Sequence, residues 1–218
     1  MPQFAHLIFD LDGTLVDTSA DLTAATNHVR ETFGLSPLSI AQVSGYVGDG
    51  IRVLVERALG PAHARLVSRG VDQFLTYYQD HLLNHTQPYP GIEPFLAMSQ
   101  AQGLVLSVLT NKMEVSSRAI LSGLGLAAFF TAIVGGDTLP VKKPDPQGVR
   151  YLQHLTNIEP AKTLLIGDSR IDVETGHAAG LATCGVTWGF NPQSLTTLPP
   201  QFLVDSPAQL QQLILSTV

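Results

Sequence analysis

The sequence has few basic residues, a single cysteine and no long apolar run. Lys and Arg number 12 against 18 Asp and Glu, and the formal net charge of −6 argues against non-specific nucleic-acid binding. The only cysteine, Cys184, excludes an intrachain disulfide and favours a reducing compartment. No apolar run approaches the roughly 20 residues that span a bilayer, and the first residues do not resemble a signal peptide. We therefore expect a cytoplasmic protein with no membrane partner.

Short apolar runs alternate with helical patterns along much of the chain. Residues 7–9 lack polar alternation, which is typical of a strand buried on both faces. Further strand-like runs occupy residues 104–111, 132–136, 163–168, 183–189 and 202–205. Between two of them, Val115, Ala119 and Ile120 share one face of a predicted helix. The alternation predicts an α/β fold, a Rossmann-like, doubly wound parallel sheet with right-handed crossovers.

Residues 18–84 interrupt this alternation and contain no strand pattern. Leu22, Ala25 and Val29 keep helical spacing, and the same spacing recurs from residue 71 to residue 82. We therefore predict an all-helical insertion of residues 18–84 in an α/β catalytic core of residues 1–17 and 85–218. The segment QPYPG (87–91) is interpreted as the return linker. A helical domain on two linkers can open and close over a site at the edge of the sheet.

Two acids follow the first predicted strand. Asp10 and Asp12 stand one residue apart and precede Gly13. The ends of strands in open α/β sheets are where ligands bind. Burying these carboxylates without a partner would cost several kcal/mol, so a compensating cation is expected.

Polar residues also end later strands. Thr110 and Asn111 end the second strand of the sheet, Lys143 follows the third in KKPDP, and Asp168 ends the fourth in GDSRID, with Asp172 just beyond. Thr110 and Asn111 could instead serve as turn residues, and Asp172 could be a helix-capping acid. Taken together, these residues predict a site that holds a phosphate beside a metal ion.

The residue types indicate the chemistry of such a site. Oxygen ligands without histidine or cysteine favour Mg²⁺ over zinc, and we interpret the seven histidines as ordinary residues. A carboxylate beside Mg²⁺ can attack phosphorus and form an aspartyl phosphate. Lys143, the metal and backbone amides would neutralise the transferred group, while a second carboxylate exchanges the proton.

Four segments resemble the motifs of haloacid dehalogenase-like phosphatases, in order: DLDGTLVDT, VLTNK, KKPDP and GDSRIDVETGHAAG. The resemblance covers nearly the whole chain and implies that the helical insertion is a small cap domain. The site residues that it implies are Asp10 as nucleophile, Asp12 as general acid/base and donor of a backbone carbonyl to Mg²⁺, Thr110 and Lys143 as phosphate ligands, Asp168 as metal ligand and Asp172 as an acid that steadies metal-bound water.

Two further segments, VGDGIRVLVERALG (47–60) and VTWGFN (186–191), look like the phosphoglycolate phosphatase subgroup. The ligand would then be a small phosphorylated metabolite, most simply 2-phosphoglycolate. Backbone amides at Gly48 and Gly50 and the guanidinium of Arg52 are the predicted partners of its carboxylate, with Asn111 as a further substrate-binding residue. Alternatively, the two glycines form a plain turn and Arg52 lies on the outer surface.

Other functions are compatible with parts of this pattern. A β-phosphoglucomutase-like phosphomutase, a pyrophosphatase or a sugar-phosphate phosphatase would use the same motifs. A phospho-aspartate receiver also has a parallel sheet and Mg²⁺, but it carries no helical insertion after its first strand. A dinucleotide-binding protein is not predicted, because DGT and not G-x-G-x-x-G follows the first strand.

Overall fold

Two sets of strands form the framework of the protein. The computed structural model describes residues 4–215. In this range the strands are β1 (His6–Phe9), β2 (Val16–Asp17), β3 (Gln87–Pro88), β4 (Val105–Leu109), β5 (Ala132–Val134), β6 (Thr163–Gly167), β7 (Ala182–Val186) and β8 (Phe202–Val204). Six of them form one sheet in the order β5-β4-β1-β6-β7-β8, and every pair in it is parallel. The predicted parallel α/β sheet is confirmed.

The first strand lies in the middle of the sheet and is covered on both faces. Leu7 and Phe9 belong to one buried apolar cluster, whereas Ile8 belongs to a second cluster on the other face. Phe9 is in register with Val108 of β4 and with Ile166 of β6. The residues that follow these three strands therefore meet at one edge of the sheet, as the sequence predicts.

Helices connect the strands and fill residues 19–80. In the described part of the chain they are α1 (Ser19–Thr32), α2 (Ile40–Ser44), α3 (Ile51–Leu59), α4 (Val67–Asp80), α5 (Ile92–Ala101), α6 (Glu114–Gly123), α7 (Gln147–Thr156), α8 (Arg170–Ala179) and α9 (Pro207–Leu215). Helix α1 packs on α2, α3 and α4. The division at residues 17/18 and 84/85 stays a prediction. None of the helices within residues 4–215 has the length and apolar character that a membrane span requires.

The chain enters and leaves the helical insertion at one place. Strand β2 pairs antiparallel with β3, so the two linkers run side by side. The buried carboxylate of Asp21 accepts hydrogen bonds from the backbone amides of His85 and Thr86 and from the Thr86 hydroxyl, at 2.8–3.1 Å. This two-stranded ribbon was not predicted, because each strand has only two residues and one of them contains proline.

One predicted helical face is wrong. Helix α6 exists, but Val115 and Ala119 are exposed, and its buried face consists of Ser116, Ser117, Ile120 and Leu121. The hydroxyl of Ser117 donates to the Met113 carbonyl at 2.9 Å, so this polar group is buried at little cost. Apolar periodicity alone could not identify a face that is half serine.

A neutral histidine is buried in the sheet. The Nε2 atom of His6 lies 2.9 Å from the Ser107 hydroxyl, and no hydrogen-bond partner reaches its Nδ1 among residues 4–215. Burial lowers the pKa of His6 from 6.5 to about 4. The unfolded chain therefore binds more protons than the folded chain between pH 4 and 6.5, and the stability that His6 contributes is lost as pH falls through this window.

We expect His6→Gln to reduce this acid destabilisation. The shift corresponds to roughly 3 kcal/mol at most, and the free energy of unfolding from urea titrations at pH 4.5 and pH 7 would measure it. Asp10 and Asp168 change the free energy of unfolding with pH in the opposite direction, because their pKa values are raised in the folded chain. The quantity to compare is therefore the difference in the free energy of unfolding between variant and wild type at each pH. His154→Gln, at an exposed position, is the matched control. An unchanged pH dependence in His6→Gln would contradict the assignment.

Candidate active site

A pocket lies at the carboxyl edge of the sheet, between the strand ends and the helical insertion. Asp10, Thr110 and Asp168 follow β1, β4 and β6 directly, which places all three at its wall. The insertion supplies the opposite wall. The lining residues are Asp10, Asp12, Leu22, Val47, Gly48, Gly50, Ile51, Leu54, Thr110, Asn111, Lys112, Asp168, Ser169, Phe190 and Asn191.

The two oxygens of Asp10 have different surroundings. Its Oδ1 accepts a hydrogen bond from the backbone amide of Leu11 at 2.7 Å and lies 2.9 Å from the ammonium of Lys143. No donor among residues 4–215 reaches Oδ2. Burial raises the pKa of Asp10 to about 6, and the charge of Asp172 adds to this shift while Lys143 opposes it. One oxygen is thus fixed and the other is available for reaction.

Asp168 is held by backbone groups in a crowded position. Its Oδ2 accepts hydrogen bonds from the amides of Phe190 (2.6 Å) and Asn191 (3.2 Å). Gly13, at φ +80°, lies so close that a Cβ there would overlap this carboxylate, which explains the glycine after the second acid. Burial, together with the charges of Asp172 and Asp10, raises the pKa of Asp168 to about 8.

Asp172 serves two structural purposes. Its Oδ1 lies 2.6 Å from Lys143, and its Oδ2 accepts hydrogen bonds from the amide and hydroxyl of Ser169 in a capping box at the start of α8. Burial alone would lower the pKa of Lys143, but the carboxylates of Asp10 and Asp172 raise it. Asp172 is therefore a helix cap, the alternative left open by the sequence, and also the residue that orients Lys143.

The acids fit a hard divalent cation. Ligand oxygens of Asp10, Asp168 and Asp172 lie within 4.8 Å of one another. An oxygen-only donor set favours Mg²⁺, and a cation there would relieve the repulsion that raises the pKa of Asp168. The carboxylate of Asp12 is not in this cluster, and the contribution of its backbone carbonyl stays a prediction.

Asp12 faces a lysine to which the sequence analysis gave no role. The ammonium of Lys112 lies 3.0 and 3.1 Å from the two oxygens of Asp12 and donates to the Tyr78 hydroxyl at 2.9 Å. Thr18 donates to Asp12 at 2.7 Å. Burial alone would lower the pKa of Lys112, but Asp12 and Tyr78 raise it. The only feature of the sequence that could have indicated a place for Lys112 in the site was its position directly after Thr110 and Asn111.

Asn111 joins the strand edge to the insertion. Its Nδ2 donates to the carbonyls of Gly48 (2.9 Å) and Lys143 (3.0 Å). The Thr110 hydroxyl accepts a hydrogen bond from the amide of Lys112 at 3.3 Å. Gly48 and Gly50 line the pocket with φ of +126° and +90°. These four residues predicted to bind substrate thus line one pocket.

Arg52 lies elsewhere. Its side chain is exposed and it does not line the pocket, a placement that fits the outer-surface alternative. The nearby Arg57 pairs with Asp49 at 2.6 Å. Binding of a substrate carboxylate by Arg52 stays a prediction that this placement does not favour.

Histidines do not line the pocket within the described range. His81 and His85 have the i, i+4 spacing of some metal sites, but α4 ends at Asp80 and the pair is not on one helix. The Nδ1 atom of His81 lies 2.7 Å from the Tyr77 carbonyl oxygen. The donor set at the sheet edge therefore consists of oxygen atoms.

Known proteins match nearly the whole chain in sequence and in fold. A curated phosphoglycolate phosphatase of Neisseria gonorrhoeae is 41% identical over 205 residues, covering 89% of this chain and 87% of the relative. One from Chromobacterium violaceum is 40% identical and covers 94% of both chains. A crystal structure described as a predicted phosphoglycolate phosphatase from Haemophilus somnus matches with a TM-score of 0.91 at 32% identity, over 97% of this chain and 98% of its own. The model of the haloacid dehalogenase-like hydrolase family matches residues 7–186, and the chain belongs to this family.

Proposed function

We propose that this phosphatase hydrolyses a small phosphomonoester, 2-phosphoglycolate, through an aspartyl phosphate on Asp10 with Mg²⁺ as cofactor. The observation that carries the proposal is the carboxylate of Asp10, with Oδ1 fixed by Lys143 and Leu11 and Oδ2 unpaired beside the pocket. The names of the relatives support the same substrate. A cytoplasmic location stays a prediction.

The proposed reaction has two steps. Oδ2 of Asp10 attacks phosphorus, the bond from phosphorus to the ester oxygen breaks, and Asp12 gives its proton to the departing alkoxide. Asp12 then takes a proton from water, which attacks the aspartyl phosphate, releases inorganic phosphate and restores Asp10. Lys143, fixed by Asp10 and Asp172, stabilises the negative charge on the transferred phosphoryl group. Thr110 would bind a phosphoryl oxygen.

Mg²⁺ would be held by the carboxylates of Asp10 and Asp168 and the backbone carbonyl of Asp12. When bound, it supplies positive charge next to the phosphoryl group. Asp172 would act on the metal only indirectly, because both of its oxygens already accept hydrogen bonds or pair with Lys143.

The wall opposite the acids favours a small substrate. The helical insertion presents Leu22, Val47, Ile51 and Leu54 to the pocket, together with Gly48 and Gly50. Aliphatic side chains offer no partners to the hydroxyls of a sugar, which would be buried without hydrogen bonds. This favours a small ester over the sugar-phosphate phosphatase and phosphomutase alternatives. We propose that the insertion acts as a cap that excludes water.

Asp10→Asn should remove nearly all turnover, because an amide is a poor nucleophile. We expect phosphate release to fall by more than about a thousandfold while the melting temperature changes little. Asp205→Asn, at an exposed position outside the pocket, is the matched control and should keep wild-type activity. Turnover of Asp10→Asn within tenfold of wild type would contradict the proposed nucleophile.

Asp12→Asn should slow hydrolysis by about two to four orders of magnitude for alkyl phosphates. The loss should be smaller for aryl phosphates, whose leaving groups need little protonation. Steady-state kinetics with ethyl phosphate and 4-nitrophenyl phosphate measure the difference. If both esters lose the same factor, Asp12 does not protonate the leaving group.

Phosphate release from a panel of phosphomonoesters tests the substrate and the metal together. We expect a higher kcat/KM for 2-phosphoglycolate than for hexose phosphates, loss of activity in EDTA and recovery with Mg²⁺. Asp168→Asn should raise the Mg²⁺ concentration that gives half-maximal activity. Full activity in excess EDTA would contradict the metal assignment, and equal activity on hexose phosphates would contradict the substrate. Isomerisation of a hexose phosphate that requires a bisphosphate activator would identify a phosphomutase instead.

A further inference from the structure

Lys112 is the one cationic side chain among the residues that line the pocket in the described part of the chain. Its side chain is only 4% exposed. The ammonium has three protons and donates to three oxygens, the two carboxylate oxygens of Asp12 and the hydroxyl of Tyr78. Because one oxygen of Asp12 is enough to keep that ion pair, the ammonium can exchange its contact with the other for an oxygen of a second anion at the pocket wall.

The carboxylate of 2-phosphoglycolate needs a cation that the phosphoryl group does not use. Lys143 is already engaged by Asp10 and Asp172 on the phosphoryl side. Of the cations near the loop 46–50, Arg57 pairs with Asp49, and Lys142 is exposed and donates to the Asp49 carbonyl. Neither Arg57 nor Lys142 is among the residues that line the pocket, and Lys143 is assigned to the phosphoryl group.

The backbone of the loop 46–50 is also oriented unfavourably for binding a substrate carboxylate. The Gly48 carbonyl accepts from Asn111, and the Asp49 carbonyl accepts from Lys142. In a trans peptide the N–H points opposite to the C=O, so the amides of Asp49 and Gly50 point away from these residues of the sheet domain. The loop therefore presents carbonyl oxygens toward Asn111 and Lys142, which would repel a carboxylate.

We propose that Lys112 recognises the carboxylate of the substrate and determines the preference of the enzyme for an anionic ester. The inference rests on the proposed function, in which Asp12 contacts the leaving oxygen and 2-phosphoglycolate is hydrolysed. In that ester a single CH₂ separates the leaving oxygen from the carboxylate, and Lys112 lies 3.0 Å from Asp12. The group next to the leaving oxygen is thus placed beside the ammonium.

Tyr78 makes this recognition depend on the helical insertion. Its hydroxyl, on α4, is buried and accepts a hydrogen bond from the Lys112 ammonium at 2.9 Å, and the ammonium lies 4.7 Å from the centre of the Tyr78 ring. Lys112 itself follows β4 in the sheet domain. The ammonium is consequently fixed from both sides of the pocket, and its position requires the insertion to be in place.

The test compares two alkyl esters that differ in the carboxylate. We expect Lys112→Met to lower the ratio of kcat/KM for 2-phosphoglycolate to that for ethyl phosphate by about 10- to 100-fold, the range for a hydrogen bond to a charged group. Tyr78→Phe should lower the same ratio by about 3- to 10-fold. The ratio cancels any general loss of rate caused by movement of Asp12. Tyr77→Phe on the same helix and Lys162→Met at an exposed site are the matched controls and should leave it unchanged.

Binding supplies a second measurement. In the Asp10→Asn background, for which we expect almost no turnover, calorimetry with Mg²⁺ should show that Lys112→Met weakens binding of 2-phosphoglycolate about tenfold more than binding of ethyl phosphate. If Lys112→Met does not fold, the same ratios measured for Tyr78→Phe provide the test. An unchanged ratio in both variants would overturn the inference.

Asp12→Asn separates recognition from positioning, because the asparagine oxygen can still accept from the ammonium and the Tyr78 contact is kept. We expect it to slow both esters and to keep the ratio. If Asp12→Asn lowers the ratio as much as Lys112→Met does, Lys112 acts only through Asp12 and the inference is wrong. If the wild-type enzyme itself does not prefer 2-phosphoglycolate to ethyl phosphate, the proposed substrate fails, and with it the basis of the inference.

Discussion

The structure depends on bringing several carboxylates together out of water. Asp10, Asp168 and Asp172 meet because parallel strands end at a common edge, and burial with mutual repulsion raises the pKa of the first two. Neighbouring groups offset this cost: Lys143 bridges two of the acids, and backbone amides donate to the third. The remaining excess of negative charge makes the cluster a receptor for a cation and, through it, for a phosphoryl group.

Two buried lysines pair with different acids of the site. Lys143 contacts Asp10 and Asp172, whereas the ammonium of Lys112 contacts Asp12 and Tyr78 of the insertion. The two acids that stand one residue apart in sequence therefore have separate ion-pair partners. This separation allows one carboxylate to act as a nucleophile and the other to exchange protons, although both follow the same strand.

Much of the sheet and its edge follows from short-range patterns. Uninterrupted apolar runs predicted the strands, and polar residues directly after them predicted Asp10, Thr110 and Asp168 at one edge. The contact of Lys112 with Tyr78 could not be predicted, because it joins residues 34 positions apart that lie on different elements. The predicted face of α6 was wrong because serines, whose hydroxyls bond to the helix backbone, replace apolar residues there.

The paired linkers have a consequence for how such a protein can diversify. Strands β2 and β3 bring both crossings of the chain together, and Asp21 fastens the return segment to the first helix of the insertion. A different helical segment could replace the insertion if it fitted this single junction. The main sheet would not have to change, because none of its strands belongs to the insertion. Selectivity can thus be exchanged as a module, while the reactive groups at the strand ends are inherited unaltered.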